Sequence, residues 1–318
     1  MKSPQFPSLY SPASLCPGLA ALTALVHIAA AEPTTSYNTG RLGKVADGAS
    51  TTGVVVDQAG ALAAFGDYSS TYALGDRTEV PFRSELNPPA NSPFTIEFWA
   101  KPTAYDGDDA PIGNRLATGN RTGWVFFQRP GATGWNFRTY NGNGNTVGWD
   151  LTGGTSTLNS WSHVVVVWSG TGATLYVNGI FATETNVGAG GFVANTTESF
   201  RVGALIDGAS PYVGFIDEVA LYAAALDATQ IAAHYAARSS TVAGAYRSLV
   251  MNDGALLHLQ QNPPEVKVSM IGAVPTVTFT GILAQSPDLA NWEDLTTATS
   301  PFTPVSPRPG KLYFRSHR

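Results

Sequence analysis

The chain of 318 residues holds one cysteine, and that cysteine, Cys16, lies ahead of the apolar run Leu19–Ala31 rather than behind it. A lipid-bearing cysteine is expected after such a run, which argues against a lipoprotein anchor. A chain cleaved beyond the run has no cysteine left for a disulfide, so its fold must rest on its core and on whatever metal ion it can hold. Charge is also scarce, at 13% of residues, with 18 Lys and Arg scattered against 23 Asp and Glu for a net charge of −5. No basic tract marks a nucleic-acid or anionic-lipid surface. The apolar run falls short of the about 20 residues that a membrane span requires, so no span is expected in the mature chain. No Gly-x-Ser-x-Gly elbow is present, and the five histidines stand in separate segments without a paired motif.

What is present points to export and to β-structure. Lys2, the run Leu19–Ala31 and the small-residue pattern Ala29-x-Ala31 before Glu32 read as a signal peptide, with a mature chain starting near Glu32 and a secreted, periplasmic or cell-surface location. Hydrophobic residues make up 43% of the chain, enough for one large domain and something smaller. With 33 Gly, 21 Pro, 12 Tyr, 15 Phe and 7 Trp, short strands and turns are favoured over long helices. Strands are expected at His163–Trp168 and Ala173–Val177, joined by a Ser-Gly-Thr-Gly turn and followed by a tight turn at Asn178-Gly179. The segment Thr71–Phe82 reads as a strand pair turning at Gly75-Asp76, and turn signals recur at Gly107-Asp108, Pro130-Gly131, Asn141-Gly142, Gly153-Gly154 and Asp207-Gly208. One helix is expected over Leu226–Ser239, with Asp227 as its N-cap.

Taken together, FTIEFWAKP at Phe94–Pro102, WSHVVVVWSGTGATLYVNGIF at Trp161–Phe181 and FIDEVALYAAALDATQIAAHY at Phe215–Tyr235 resemble the laminin-G-like jelly-roll family of concanavalin A-like lectins and glucanases. The likeness covers about residues 40–238 and includes Ala59–Leu62 and a turn at Leu74-Gly75-Asp76 that stands where the family has Phe-Asp-Gly. It implies an all-β jelly-roll β-sandwich closed by one short helix, with Trp99, Trp161 and Trp168 packed in the core. The expected organisation is a signal peptide over 1–31, the jelly roll over 32–239, a linker over 240–262 and a small C-terminal β unit over 263–318. That last unit is similar to C-terminal units of exported bacterial proteins, through Leu283, Ser286, Asp288, Leu289, Trp292 and Tyr313-Phe314-Arg315.

Related glucanases place a nucleophile and an acid/base on one strand as a Glu-x-Asp-x-Glu run, because alternation puts every second carboxylate on one face. No such run exists here, so no catalytic residue is expected. Glu97 reads as a solvent-facing strand residue, and Asp217 and Glu218, being adjacent, are expected on opposite faces. His163 reads as a hydrogen-bonding cap of its strand, and His234 as a packing or surface residue of the closing helix. The family's structural calcium implies Asp217 as a ligand with Asp76 on the turn it faces; simple pairing of Asp217-Glu218 with arginine or backbone is the alternative. The acidic loop Asp106–Asp109 lacks EF-hand spacing and reads as solvated. On the strand around Trp135–Tyr140, Trp135, Phe137 and Thr139 share one face, while Asn136, Arg138 and Tyr140 share the other. An aromatic ring beside amide and guanidinium groups suits a pyranose, which makes Asn136, Arg138, Tyr140 and Trp149 the ligand-binding candidates; an ordinary amphipathic sheet gives the same pattern. The expectation is an exported, non-catalytic module for glycan or an extracellular protein. A structural or adhesive surface component and a divergent glycosidase are the alternatives.

Overall fold

The computed structural model describes residues 35–260, apart from 65–66, 106, 117, 130–133 and 187, and parts of the chain between 266 and 317. The signal-peptide residues, Asp106, Pro130-Gly131, Asp288, Leu289 and Trp292 lie outside the described residues. Among the described residues no helix is long and apolar enough to cross a membrane.

Sixteen strands form one hydrogen-bonded network, fourteen of them along a single path, that folds into two facing sheets. In chain order they are β1 (Thr35–Asn38), β2 (Gly48–Ser50), β3 (Val55–Ala59), β4 (Tyr68–Tyr72), β5 (Thr78–Val80), β6 (Phe94–Pro102), β7 (Ile112–Gly113) and β8 (Trp124–Gln128). There follow β9 (Trp135–Tyr140), β10 (Val147–Gly153), β11 (Ser162–Trp168), β12 (Ala173–Val177), β13 (Ile180–Thr185), β14 (Phe200–Val202), β15 (Gly214–Tyr222) and β16 (Leu257–Gln260). One sheet runs β10-β9-β8-β7-β14-β5-β2-β1 and the other β16-β15-β6-β11-β12-β13, with β4 and β3 beside β15. β1 joins the two, since Thr35 and Ser36 pair with β2 while Tyr37 and Asn38 pair with β16. This is an antiparallel jelly-roll sandwich, the fold class that the sequence implies.

Alternation builds the core. Phe94, Ile96, Phe98 and Ala100 of β6 point inward against Trp124, Phe126, Trp135 and Phe137 of the facing sheet. Trp149 on β10 and Trp168 on β11 stack across the gap, with ring centroids 4.0 Å apart. Each indole N–H is satisfied, Trp149 Nε1 donating to the Gly188 carbonyl and Trp168 Nε1 to that of Ala90, both at 2.9 Å. Trp99 is fully buried too, yet on the outer face of its sheet, and Trp161 is only partly covered, with the Lys101 ammonium 5.1 Å from its ring.

Helix α1 (Ala228–Ala237) starts at Asp227 as expected, through a complete capping box: Asp227 Oδ1 accepts from Gln230 N at 2.8 Å, and Gln230 Oε1 from Asp227 N at 2.9 Å. Two expectations change. β4 and β5 flank the Gly75-Asp76 turn but do not pair, because β4 joins β15 and β5 joins β14 and β2; the turn hands the chain from one sheet to the other. The segment 240–262 is no connector. It supplies helix α2 (Ala245–Asn252) and β16, which fills the place between β1 and β15, and Tyr246 and Val250 of α2 are buried beside α1. In the C-terminal region Val266–Ile271 pairs with Val274–Phe279, and Ile282–Ser286 with Glu293–Asp294 and Tyr313–His317.

Since the Trp149–Trp168 stack ties the two sheets together, Trp168→Ala is expected to lower unfolding free energy by about 3–5 kcal/mol in chemical denaturation. A loss under about 1 kcal/mol would show that the stack does not couple the sheets.

Candidate functional site

The outer face of the sheet containing β6 carries the polar chemistry. Glu97 does point outward, but it meets no solvent, because α1 and α2 lie over it and leave it fully buried. Its carboxylate meets His163 Nε2 at 3.1 Å, His234 Nδ1 at 3.0 Å and the Tyr222 hydroxyl, and His234 Nε2 continues to Asp253 Oδ2 at 2.9 Å. His163 therefore does more than cap its strand; that task falls to Asn178, whose Oδ1 accepts from His163 N at 3.0 Å. His234 is a buried bridge rather than a surface residue. Burial by itself pushes the Glu97 carboxyl up, but the His234 charge and the hydrogen bonds from both histidines outweigh it and hold the group below the usual carboxylate range. For His234, burial pushes down and the Glu97 and Asp253 carboxylates lift it above the ordinary imidazole value.

A second cluster sits on the same sheet. Asp67, Asp217 and Glu218 bring ligand oxygens within 4.8 Å of one another. Simple alternation would send Asp217 and Glu218 to opposite faces. A bulge between Asp217 and Ala220 and a left-handed backbone at Glu218, with φ of +49°, turn both carboxylates to one side. The Gly60–Leu62 backbone wraps this cluster: Ala61 N donates to Asp217 Oδ2 at 2.9 Å and Leu62 N to Asp67 Oδ2 at 2.7 Å. A Cβ on Gly60 would stand 1.9 Å from Asp67 Oδ2 and 2.9 Å from Asp217 Oδ2, so only glycine lets the loop approach this closely. His258 Nε2 bonds Glu218 from behind, its other ring nitrogen being held by Thr39 Oγ1 at 2.7 Å. Asp67 and Glu218 border a cleft walled by Leu62, Tyr246, Arg247 and Gln260. Burial and the Glu218 charge push the Asp67 carboxyl up to about 8, and burial with the Asp67 and Glu218 charges raises Asp217 well above its ordinary value. Crowded, partly desolvated carboxylates with oxygen donors alone are the ligand set of a hard divalent cation such as calcium.

The expected partner Asp76 is not in this cluster. It closes its own turn, accepting from Ala73 N and from Thr51 Oγ1, each at 3.2 Å. Asp67, which the sequence reading missed, takes that place. Its signal was available in Gly66-Asp67-Tyr68, just before a strand that pairs with β15. In the acidic loop, Asp108 pairs with Arg129 at 2.7 Å and the backbone of Asp109 bridges Gln128.

The four ligand-binding candidates are distributed differently from the expectation. Asn136, Arg138 and Tyr140 do share the outer face of the opposite sheet, but Asn136 is fully buried and bonded to Asp150 Oδ1 at 2.6 Å, and only 2% of Tyr140 is exposed. Arg138 pairs with Asp150 at 3.1 Å. Trp149 belongs to the core stack, so no sugar ring can reach it.

Residues 74–232, half of the chain, match the family described as the Concanavalin A-like lectin/glucanases superfamily. The chain belongs to that superfamily. No curated protein matches this lectin/glucanase relative. Among solved structures it is similar to the binding domain of Paraclostridial Mosquitocidal Protein 1, at 12% identity over 77% of this chain and 64% of that one, with a TM-score of 0.47. It thus spans less than two thirds of that chain's length. It is also similar to the Botulinum Neurotoxin serotype G binding domain, at 12% identity over 84% and 66% with a TM-score of 0.47. A third similar structure is domain 4 of AbnA, a GH43 extracellular arabinanase from Geobacillus stearothermophilus in complex with arabinotriose, at 14% identity over 62% and 98% with a TM-score of 0.41.

Two expectations follow from the site. Glu97→Gln leaves two histidines without their anion and is expected to cost about 3–5 kcal/mol, read by denaturant unfolding. The second concerns pH. Asp67 is raised from 3.8 to about 8, so its contribution is complete below pH 3.8 and is lost as pH rises through about 8. Asp217 and His234, both raised, act in the same direction. With a chelator present, the melting temperature is expected to fall between pH 6 and pH 8; a rise over that interval would contradict the assignment.

Proposed function

We propose that this chain is an exported, non-catalytic glycan-binding module that holds calcium at Asp67, Asp217 and Glu218. The observation that carries the reading is the fate of the carboxylates. Glu97, the one acidic residue of β6, is sealed between two histidines and covered by helices, where neither water nor a glycosidic bond can reach it. The trio, of which Asp67 and Glu218 border the cleft, has its oxygens within 4.8 Å, closer than the about 5–5.5 Å of a retaining carboxyl pair or the about 6.5–9.5 Å of an inverting one. Such spacing suits a shared cation better than an acid and a nucleophile working on opposite sides of a bond. Membership of a superfamily of lectins and glucanases then favours the lectin side. Export is supported by the Leu19–Ala31 run and the cysteine-free remainder of the chain.

The bound ion would neutralise the three carboxylates, fix the Gly60–Leu62 loop against β15 and relieve the repulsion that raises Asp67 and Asp217. The chain's own residues prepare this: the bulge presents the two β15 carboxylates, Gly60 permits the approach, and His258 holds Glu218 in place.

Calcium added to chelator-treated protein is expected to raise the melting temperature of the wild type by several degrees and to leave Asp217→Asn unmoved. A screen of glycans and polysaccharides, run with calcium and with chelator, reads the recognition. Calcium-insensitive melting would remove the metal site, and polysaccharide hydrolysis by the purified protein would overturn the non-catalytic reading.

A further inference from the structure

His234 stands where two helices and a strand meet, with an acceptor on each side of its ring. Its Nδ1 faces the Glu97 carboxylate of β6, 3.1 Å from Oε1 and 3.0 Å from Oε2, and its Nε2 faces Asp253 Oδ2 at 2.9 Å. Ionised carboxylates only accept, so both ring nitrogens must donate, and the imidazolium alone carries two N–H groups. A neutral ring would set a lone pair against one of the two anions. The other neighbours supply no cation to replace it. Tyr222 from β15 and Tyr246 from α2 present rings with centroids 6.3 and 5.8 Å away, and Tyr222 gives its hydroxyl to Glu97. From β11, His163 Nε2 donates to Glu97, while its Nδ1 is buried with no acceptor for a second N–H. From β16, His258 meets Tyr246 at 6.4 Å and is bonded to Glu218 and Thr39. On α1 itself, Gln230 Nε2 donates to Asp253 Oδ1 at 2.8 Å, and the Arg238 guanidinium lies over Tyr235 at 4.9 Å.

Both helices depend on this proton. His234 lies in the last turn of α1, where the helix dipole favours a cation. Asp253 caps the C-terminal end of α2, where the dipole repels an anion. An aspartate placed there needs a cation against it, and among the described residues His234 is its one ion-pair partner. The Asp253 side chain is 20% exposed, whereas His234 and Glu97 are sealed. If the proton leaves, Glu97 keeps His163 and Tyr222, so the bond that fails is the one to Asp253. At its other end α2 has no side-chain cap, and its first turn, through Tyr246 and Arg247, walls the cleft that Asp67 and Glu218 border.

We propose that His234 is a proton-dependent latch: its imidazolium pins the Asp253 end of α2 to α1 and β6, and loss of the proton frees that end and loosens the wall of the carboxylate cleft. Against its burial, the Glu97 and Asp253 carboxylates lift His234 above the ordinary imidazole value of 6.5. The latch is therefore complete below that value and is lost as pH rises through the raised one. It needs neither glycan nor calcium to operate.

The test follows the full secreted chain, with chelator present, from about pH 6 to about pH 9. Hydrogen exchange is read at the amides of Asp253, Gly254 and Ala255, whose bonds to the carbonyls of Leu249, Met251 and Val250 close the end of α2. Each rate is referred to the intrinsic rate at the same pH, and the ring-nitrogen resonances of His234 are titrated alongside. Protection in the wild type is expected to fall about tenfold or more, with the midpoint at which His234 loses its proton. In Asp253→Asn the carboxamide oxygen accepts from the imidazolium and its NH2 donates to the neutral ring, so protection there is expected to change less than about twofold. Wild-type protection that does not fall overturns the latch. So does an equal fall in Asp253→Asn, which traces the release to the carboxylate trio instead. Should Asp253→Asn lower the melting temperature at low pH, the wild type decides alone: a midpoint for α2 that differs from that of His234 overturns the latch, and a shared one supports it.

Discussion

The constraint on which the rest of the structure depends is one buried negative charge. Glu97 lies on the central strand β6, between β15 and β11, and an ionised carboxylate taken out of water costs several kcal/mol unless partners replace its hydration. Those partners come from three elements: His163 from β11, Tyr222 from β15 and His234 from α1. Because His234 then needs Asp253 at the end of α2, the same charge fixes the second helix. Stacking follows the hydrogen bonds, since Trp99 lies between His163, at 4.8 Å, and Tyr235, at 5.8 Å. The sheet therefore has two buried faces, one apolar and facing the core, the other held by charge under the helices.

This explains which parts of the chain were readable. Period-two alternation correctly places Glu97 outward and Phe98 inward, and Asp227 as an N-cap residue announces α1 one residue before it begins. What alternation cannot supply is whether an outward face meets water. That depends on residues 240–262, which carry weak signals of their own: α2 starts at Gly244 without a side-chain cap, and β16 has only four residues. Strand β16 gains its place from pairing with β15 and with β1, the latter more than 200 residues away in sequence.

The same limit separates Asp217 from Glu218. Two adjacent carboxylates in a regular strand cannot share a face, and only the bulge with its left-handed residue lets them. No propensity announces a glutamate at φ +49°, a conformation that costs about 1–3 kcal/mol and survives where surrounding structure over-determines it. Here β16 does so, through His258 bonded to Glu218. Trp149 was readable and was misplaced: Leu151 lies two residues on, and the pair shares the inward face of β10. For Asn136, Arg138 and Tyr140 the face was right, but the loops and arginines that cover it come from elsewhere in the chain.

The two sheets thus divide their outer faces between different tasks. One is closed by α1 and α2 over Glu97 and by the Gly60–Leu62 loop over the carboxylate trio, so its polar groups work on each other. Among the described residues the other has no helix upon it, and at its outer face Arg129 and Arg138 lie over Phe127 with their charges balanced by Asp108 and Asp150. In a chain whose portion beyond the apolar run lacks cysteine, no disulfide can tie the loops to the sheets. The closed face takes that role through charge, with Glu97 anchoring the helices and the trio anchoring the loop. Rigidity gained there reaches the open sheet through the Trp149–Trp168 stack, which joins β10 to β11 across the core.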